Sequence, residues 1–453
     1  MRQQSTPESA SDPSFLRTFS ELIRPTELRK LWDQHGPKAR GHKPKLKGPD
    51  LICGLVFHVV CATGTLGAHM KQLFGIKISD GGLSQRRVAA GVAVFAAVVA
   101  ASLRPLARLG KHPQAFYRGL RLVAMDGSQF SVSNTPQLLG RLSKAATRRF
   151  RAAFAKIPMS LLVELGTHHP LAAEVGMEQE PEWELSHRLV DKIQAGWLVL
   201  ADRLYGVGVF INELLLRGQT VGSHFLVRVK KNIKVRVQEV LEDGSALIQV
   251  WVADAKAHKK RGAIVVREIN GRVRRPNGKW VRVRLWTDLL DAKVYPAREL
   301  LELYAQRWEV ELFNREMKVD LRNTELLRSH TVETAAQEIL ALVLAMAVLS
   351  QQRLEAAAKG EVEPLRISFS QTLVLVRSMW WMLAASQGLL TPVQIKALVN
   401  RTMRMIAKQS LPQRRARSCP RAVRQPIKGW PRLTANSYLE GVVEHEVKRC
   451  AKV

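Results

Sequence analysis

The sequence predicts an α/β protein, with a mixed sheet in the middle of the chain, a β-rich insertion in that sheet, and helical regions on both sides. Three observations predict this class. Between residues 116 and 229, apolar runs of strand length come first and then alternate with helical patterns, an order typical of a mixed α/β sheet. Short alternating strands follow from 230 to 286. Apolar residues at helical spacing dominate both flanking regions.

Residues 1–115 are predicted to form a helical region that binds the ends of a DNA substrate. Within it, TLGAHMKQLFGIKISDGGLSQRRVAAG indicates a helix, a break that contains glycine, and a second helix that starts near Ser79. A helix-turn-helix motif has this pattern, and it would place Arg86 and Arg87 to meet DNA. Many helical hairpins share the pattern, so structural packing explains it equally well.

Residues 116–229 are predicted to form the first part of the central sheet, and two of its strands reach an acid. In LRLVAMDGSQFSV the apolar strand is predicted to end at Asp126 and to resume after a glycine, and WLVLADRLYG is predicted to be a buried strand that ends at Asp202. Sites in α/β sheets lie at strand ends, and a lone carboxylate there is costly unless it is paired or binds a cation. Each acid also has a structural explanation: a turn with Gly127 for Asp126, and a helix N-cap for Asp202.

Residues 230–286 are predicted to form the β-rich insertion, with turns at Asp243-Gly244 and Asn270-Gly271. Between Arg228 and Arg284 there are 16 Lys/Arg and five Asp/Glu residues. Alternating basic residues can form the solvated face of an antiparallel sheet. The net excess of positive charge favours a surface that faces DNA.

Residues 287–330 are predicted to carry a helix that completes the core. In YAQRWEVELFNREMK, at about 100° per residue, four side chains fall within about 60° of the helix circumference: Tyr304, Arg307, Glu311 and Lys318. An apolar, core-facing stripe lies beside them. The polar stripe is either a solvated face with ion pairs or part of a site that includes the two aspartates.

Residues 331–453 are predicted to form a helical C-terminal region with a basic arm at about 401–432. The arm carries ten Lys/Arg residues, no acid and four prolines. Such a stretch is typical of an extended segment bound to nucleic acid, and a disordered tail is the alternative.

The charge of the chain points to a polyanionic partner. Seventy Lys+Arg residues against 39 Asp+Glu give a net charge of +31, and basic proteins gain affinity for nucleic acids through counterion release. An anionic membrane surface competes, but the apolar run 88–103 is shorter than the roughly 20 residues that a span needs. The chain shows no signal-peptide pattern, and its four cysteines form no CxxC pair. We therefore expect double-stranded DNA as partner and a reducing, cytoplasmic location at the nucleoid.

Asp126, Asp202 and Glu311 together predict a divalent metal site. Clustered carboxylates repel one another, and a divalent cation relieves this repulsion. Oxygen ligands without clustered His or Cys favour Mg²⁺ or Mn²⁺ over zinc. Two such ions, about 4 Å apart, activate a water or a 3′-hydroxyl for phosphoryl transfer. Arg307 and Lys318 would then hold phosphates near the scissile bond.

At this point the sequence resembles a known family. The stretch Tyr304–Lys318 has the pattern Tyr-x2-Arg-x3-Glu-x6-Lys, which resembles the Y-R-E-K signature of the DDE insertion-sequence transposases of family four. Asp126-Gly127-Ser128 is similar to the first acid motif of that family, and Asp202-Arg203-x-Tyr205 to the second. A β-rich insertion between the second and third acids is another feature of the family.

The resemblance implies an RNase H-like catalytic core that performs metal-dependent cut-and-paste transposition. Water would nick a strand at the element end, and the released 3′-hydroxyl would then attack the target. The resemblance makes three acids the metal ligands: Asp126, Asp202 and Glu311. It also implies contacts with the cleaved DNA end from three further residues: Tyr304, Arg307 and Lys318.

Members of this family often cut the second strand through a hairpin, and a flipped base then needs a receiving side chain. Trp280 and Trp286, near the end of the insertion, are the candidates, and the sheet core explains both equally well. The resemblance further implies a homodimer on two paired ends, with terminal inverted repeats and target DNA as partners.

Three other interpretations compete with a transposase. A catalytically inactive DNA-binding protein or regulator could keep the fold, but the presence of all three acids argues against it. A recombinase with Tyr304 as nucleophile is weaker, because nothing in the sequence requires that residue to attack. An RNA-binding protein finds no aromatic RNP-type strand to support it.

Overall fold

The computed structural model describes residues 15–38, 45–61, 63–146, 151–253, 260–274, 280–322, 324–386 and 388–411. The N-terminal region is helical, as predicted. It contains helices α1 (Phe15–Leu22), α2 (Pro25–His35), α3 (Gly48–Cys61), α4 (Leu66–Phe74), α5 (Asp80–Ala90) and α6 (Ala93–Ser102).

Helices α4 and α5 form the predicted helix, break and helix. The Thr65 hydroxyl accepts a hydrogen bond from the Ala68 amide at the start of α4, and Ser79 accepts from the Gly82 amide at the start of α5. Each side chain satisfies an amide that has no partner within its helix. Gly75, with φ of 68°, ends α4 in the left-handed conformation that favours glycine.

The central sheet begins with a meander and continues with parallel strands. Its elements are β1 (Phe116–Tyr117), β2 (Leu120–Ser131), α7 (Pro136–Leu139), β3 (Lys156–Glu164), β4 (His169–Val175), α8 (Glu182–Val190), β5 (Trp197–Ala201), α9 (Gly208–Val221) and β6 (His224–Arg228). The strand order is β4-β3-β2-β5-β6. Strands β2, β3 and β4 pair antiparallel, whereas β5 pairs parallel to both β2 and β6. This topology is that of an RNase H-like core and confirms the predicted fold class.

The predicted β-rich insertion is also present. It comprises β7 (Arg236–Val240), β8 (Ala246–Ala253), β9 (Lys260–Arg274) and β10 (Trp280–Thr287). These strands pair antiparallel in the order β10-β9-β8-β7. Since β10 also pairs with β6, with Leu285 opposite Arg228, the insertion extends the core sheet. Ten strands of the described chain thus share one sheet.

The segment predicted as one continuous helix is irregular. It contains α10 (Ala297–Leu303), a 3₁₀ turn at Tyr304–Arg307, α11 (Trp308–Arg315) and a π-helix at Glu316–Leu321. The four residues of the polar stripe therefore do not share a regular α-helical face. A π-turn within a helix often marks a functional site.

The C-terminal region contains α12 (Val332–Gly360), α13 (Phe369–Ala385) and α14 (Pro392–Ala407). By length and composition, helix α12 could cross a membrane, because an 18-residue stretch of it has a mean hydropathy of 1.8. However, 94% of that stretch is buried inside the protein. The basic stretch 401–432 starts inside α14, so its first part is helical and not extended, and residues 412–432 lie outside the described part.

Two hydrophobic cores cover the two faces of the sheet. Along β2, Leu122 and Ala124 belong to the core that contains α12, whereas Val123 and Met125 belong to the core that contains α8 and α9. This alternation is expected for a strand that is buried on both faces. The helices of the N- and C-terminal regions pack together, because α3 and α6 both contact α12. The site described next lies in the central sheet, between these layers.

Candidate active site

Asp126 and Asp202 lie next to each other on two neighbouring chain segments. The register of the parallel strands β2 and β5 pairs Met125 with Ala201, and each aspartate is the next residue along the chain. Asp202 directly follows the end of β5, whereas Asp126 lies inside β2, which continues to Ser131, so the prediction that Asp126 ends its strand is wrong. Neighbouring strands are about 4.8 Å apart, which brings the two carboxylates to the same edge of the paired region. Both residues are half-buried. The structure thus brings Asp126 and Asp202 close together, while their role as metal ligands stays a prediction.

Glu311 lies on α11 and is tied to the Arg307 side chain. The Arg307 guanidinium donates a hydrogen bond of 2.7 Å to Oε1 of Glu311. Glu311 is near enough to Asp126 for its charge to raise the pKa of Asp126. The structure thus brings the third acid to the same region, with its charge partly neutralised by arginine.

The site is not arranged as a finished metal centre. No group of three His, Cys, Asp or Glu residues within the described ranges is placed to hold a metal ion. Burial raises the pKa of Asp126 to about 7; Arg307 lowers it, and the carboxylates of Glu182, Asp202 and Glu311 raise it further. Burial and the neighbouring carboxylates therefore disfavour the charged form of Asp126, which a bound cation would favour.

Tyr304 differs from its prediction. Its side chain is 9% exposed, and its hydroxyl donates a hydrogen bond of 3.1 Å to the Ala201 carbonyl oxygen. Burial raises the pKa of this hydroxyl to about 12. Tyr304 thus holds the end of β5 next to Asp202 and lies buried in a 3₁₀ turn, away from the exposed stripe that was predicted for it. Its contact with DNA stays a prediction.

Lys318 lies in the π-helix with its ammonium 5.4 Å from the centre of the Phe130 ring of β2. Burial lowers its pKa to about 8, and the nearby cations of Arg322 and Lys156 lower it further. Asp126 acts in the opposite direction, so Lys318 lies near the site. The protein holds a cation here at an electrostatic cost, and an anion would relieve that cost.

Sequence reasoning missed a fourth acid, Glu182, at the start of α8. Its carboxyl group lies against Gly127, where any Cβ would overlap it. Its Oε1 accepts a hydrogen bond of 2.8 Å from the buried hydroxyl of Tyr205. Gly127 and Tyr205 belong to the two Asp motifs, so Glu182 joins them. Its only local signal was an acid in the first turn of a helix, which is common.

Asn314 was missed as well. Its Nδ2 donates a hydrogen bond of 2.8 Å to Oδ2 of Asp126, while its own Oδ1 is buried and has no partner among the described residues. It follows Glu311 by three residues on α11 and so shares its helix face. That spacing was the signal that could have found it.

A buried charge network holds α11, which carries Glu311, and the π-helix that follows it against the sheet and α12. His168 Nδ1 lies 2.8 Å from Glu316 Oε2, and its Nε2 lies 3.1 Å from Glu309 Oε2. Arg353 of α12 bonds the other oxygen of Glu316 at 3.0 Å. The network ties α11 and the π-helix to both the sheet and α12, which fixes the position of Glu311 between them.

A basic cleft of about 1250 Å³ opens beside Asp202, between the core and the insertion. Arg284 is partly neutralised by Glu268, 2.6 Å away. The other basic residues that line the cleft are Arg203, Arg228, Lys230, Lys231, Arg272 and Arg282. The predicted basic surface of the insertion therefore faces the site rather than only solvent.

Arg86 and Arg87, which were predicted to contact DNA, both make hydrogen bonds within the protein, and their contact with DNA stays a prediction. Arg86 donates a hydrogen bond of 2.8 Å to the Leu46 carbonyl oxygen. Arg87 donates to Ser329 at 3.0 Å and to the Thr334 carbonyl oxygen at 2.6 Å. Arg87 thus links α5 to α12, and no local sequence pattern reveals such a long-range contact.

The two tryptophans proposed for base stacking differ. Trp286 is fully buried, and its Nε1 donates a hydrogen bond of 2.8 Å to Glu268 Oε2. It has no free face for a base, so that prediction is wrong for Trp286. Trp280 is the first residue of β10, and its side chain lies outside the described part of the chain.

Comparison with known proteins agrees with this arrangement. Residues 117–348 match the family model of the transposase DDE domain. Transposase InsG for insertion sequence element IS4 of Escherichia coli K12 is 28% identical over 316 residues, which cover 69% of this chain and 70% of InsG. A second protein of that strain, InsZ, also named as a transposase, is 28% identical over 170 residues, 37% of this chain and 54% of InsZ.

A solved structure is distantly similar. The cryo-EM structure of the piggyBac transposase synaptic complex with hairpin DNA has a TM-score of 0.45 and 9% identity, covering 92% of this chain and 89% of that one.

The family match spans about half of the chain and contains both aspartates and Glu311. The chain therefore belongs to the DDE transposase family, as an insertion-sequence enzyme that cleaves and transfers DNA.

Proposed function

We propose that this transposase moves its insertion sequence by cut-and-paste, with Asp126, Asp202 and Glu311 as the catalytic acids. The observation that carries the proposal is the register of β2 and β5, which places Asp126 beside Asp202, with the helix that bears Glu311 packed against β2. Water would nick the element end, and the 3′-hydroxyl that is released would then attack the target strand.

Among the described residues the three acids are not grouped as a ready-made ligand set, but their chemistry fits a divalent cation. All three acids offer oxygen ligands, burial and neighbouring carboxylates disfavour the charge of Asp126, and the buried Oδ1 of Asn314 has no protein donor within the described residues. We propose Mg²⁺ or Mn²⁺, as two ions, held by Asp126, Asp202 and Glu311. When bound, these ions supply activation of the attacking oxygen and stabilisation of the leaving oxygen.

The chain's own residues would position the DNA. We propose that Arg307 exchanges Glu311 for a phosphate of the cleaved end, because a guanidinium binds both groups in the same geometry. Lys318 would bind a second phosphate, since an anion offsets the cost of its half-buried charge. The basic cleft beside Asp202 would hold the backbone of the adjoining duplex.

Membership of the family supports further proposals about substrates, assembly and location. We propose double-stranded terminal inverted repeats and target DNA as substrates, a homodimer on paired ends, and action in the cytoplasm at the nucleoid. The predicted regions 1–115, 116–229, 230–286, 287–330 and 331–453 stay our proposed division of the chain. Helices of 1–115 would contact the element ends. Trp280 stays the candidate for stacking a flipped base if a hairpin forms.

The test is excision from a plasmid that carries the element between its own ends. With Mg²⁺ the wild type should release the element and leave a broken donor, whereas EDTA and Glu311→Gln should abolish release. Glu302→Gln, an exposed glutamate on α10, should behave as wild type. A denaturing gel reports whether the ends are hairpins. If the protein binds the ends but cleaves them in neither Mg²⁺ nor Mn²⁺, the result would instead support an inactive DNA-binding protein.

A further inference from the structure

Asn314 connects the first acid of the site to the helix of the third. Its Nδ2 donates a hydrogen bond of 2.8 Å to Oδ2 of Asp126 across a sequence separation of 188 residues. Since a carboxylate accepts hydrogen bonds, the amide nitrogen is the end of the side chain that faces it. The bond fixes one oxygen of Asp126 and leaves the other available to a ligand.

The other end of the amide lacks a partner. Oδ1 of Asn314 is buried, and no described residue donates to it. Buried polar atoms are nearly always hydrogen-bonded, and an exception needs an explanation. Asn314 is held on one side by Asp126, so its Oδ1 cannot turn towards solvent without breaking that bond. The site therefore presents an acceptor for which none of the described residues supplies a donor.

We propose that Asn314 is a positioning residue for the divalent cation: its amide orients Asp126 as a ligand, and its Oδ1 accepts a hydrogen bond from a hydration water of the cation. This inference rests on the proposed function. Removal of a group that orients a metal ligand in this way usually lowers the metal affinity by about 10- to 100-fold. The amide acts through Asp126 and through water, so it does not itself bind the ion.

The test uses the full chain and measures Mn²⁺ binding by calorimetry, together with single-turnover cleavage of an element end over a range of Mg²⁺ concentrations. For Asn314→Ala we expect about 10-fold or greater weakening of Mn²⁺ binding and a similar rise in the half-saturating Mg²⁺ concentration. Asn314→His, which keeps a donor and an acceptor, should recover most of that loss. Asn400→Ala, an asparagine on α14 that accepts from Lys359, is the matched control.

The outcomes separate the inference from the function on which it rests. Wild type that cleaves with Mg²⁺, and Asn314→Ala with unchanged Mn²⁺ affinity and unchanged half-saturation, would overturn the role of Asn314 and leave the transposase intact. A uniform loss of rate at every metal concentration would also overturn it, because that loss reports packing alone. Wild type that neither binds Mn²⁺ nor cleaves would overturn the proposed function itself. Thermal unfolding confirms that each variant is folded.

Discussion

In the DNA-free protein the Arg307 guanidinium donates a hydrogen bond of 2.7 Å to Glu311 Oε1. The carboxylate proposed as a catalytic acid and the guanidinium proposed to hold phosphate are thus bound to each other. A phosphate that binds Arg307 frees Glu311, and so the incoming DNA end would complete the metal site.

The first prediction concerns this pair. Arg307→Ala should raise the Mn²⁺ affinity of the DNA-free protein by about three- to tenfold, because it removes a cation that competes for Glu311; tenfold corresponds to about 1.4 kcal/mol. The same variant should lower strand transfer by about 10²-fold or more, through loss of a transition-state charge contact. Calorimetry and single-turnover assays measure the two effects.

Arg298→Ala is the control for that prediction. Arg298 forms the same kind of pair with Glu302, four residues away on the exposed face of α10, and its removal should change neither quantity. Equal Mn²⁺ affinity in Arg307→Ala and wild type would show that the ion pair does not gate the site.

A second prediction concerns Gly127 and Glu182. A Cβ at residue 127 would overlap the Glu182 carboxyl group, so Gly127→Ala should displace Glu182 beside Asp126 and lower end cleavage by about 10²-fold. Since the strand itself tolerates alanine, the variant should stay folded. Gly81→Ala, where a Cβ meets nothing, should cleave as wild type. Near-normal cleavage by Gly127→Ala would mean that the position of Glu182 is unimportant.

A third prediction follows from Lys318, whose pKa falls to about 8 because of burial. The unfolded chain then binds more protons than the folded one between pH 8 and about 10.5, so the free energy of unfolding rises with pH in that window. At pH 7 the protonated side chain is a net cost. Lys318→Met should therefore raise Tm without DNA, by about 1 °C for each 1 kcal/mol gained in a chain of this length.

The same variant should bind element ends more weakly, with a smaller salt dependence, because one phosphate contact is lost. Calorimetric Tm and fluorescence anisotropy measure the two effects, and exposed Lys293 supplies the control Lys293→Met. A lower Tm in Lys318→Met would contradict the electrostatic cost assigned to this lysine.

A fourth prediction concerns the brace behind the site. Burial alone would raise the pKa of Glu316, but Arg353 and His168 lower it to about 2. A depressed carboxyl pKa stabilises the fold above the unfolded value of 4.5, and this contribution disappears as pH falls towards 2. Glu316→Gln should cost about 3–5 kcal/mol at pH 7, since it leaves Arg353 buried without its charge partner.

Urea unfolding at pH 7 and at pH 3 measures that cost, which should shrink at the lower pH as wild-type Glu316 begins to protonate. Glu355→Gln, from an exposed pair with Lys359, should cost less than about 1 kcal/mol. A pH-independent difference between wild type and Glu316→Gln would contradict the brace.

The strands of the fold were predictable because their patterns are local. Alternation and apolar runs located β2 to β10. The rule that sites lie at strand ends placed Asp202 correctly after β5, whereas Asp126 lies inside β2, which continues to Ser131. Glu311 was found through its helical spacing and its resemblance to a family signature, not through any contact.

The other differences and omissions depend on contacts between distant parts of the chain. Arg87 bonds to residues more than 240 positions away, and Asn314 reaches Asp126 from 188 positions away. Tyr304 was expected on an exposed stripe but is buried, with its hydroxyl bonded to the Ala201 carbonyl oxygen more than 100 positions earlier, a contact that the 3.6-residue period does not reveal. Such pairings arise only when the sheet and α12 assemble.

The most direct test of the central claim is single-turnover nicking of a labelled element-end duplex by Asp126→Asn, Asp202→Asn and Glu311→Gln. These substitutions keep side-chain shape and remove one negative charge each; Asp191→Asn, an exposed acid at the end of α8, is the control. We predict that all three variants bind the end but nick it at least about 10²–10³-fold more slowly than wild type in Mg²⁺. Nicking within tenfold of wild type by any one of them would contradict the assignment of Asp126, Asp202 and Glu311 as the catalytic acids.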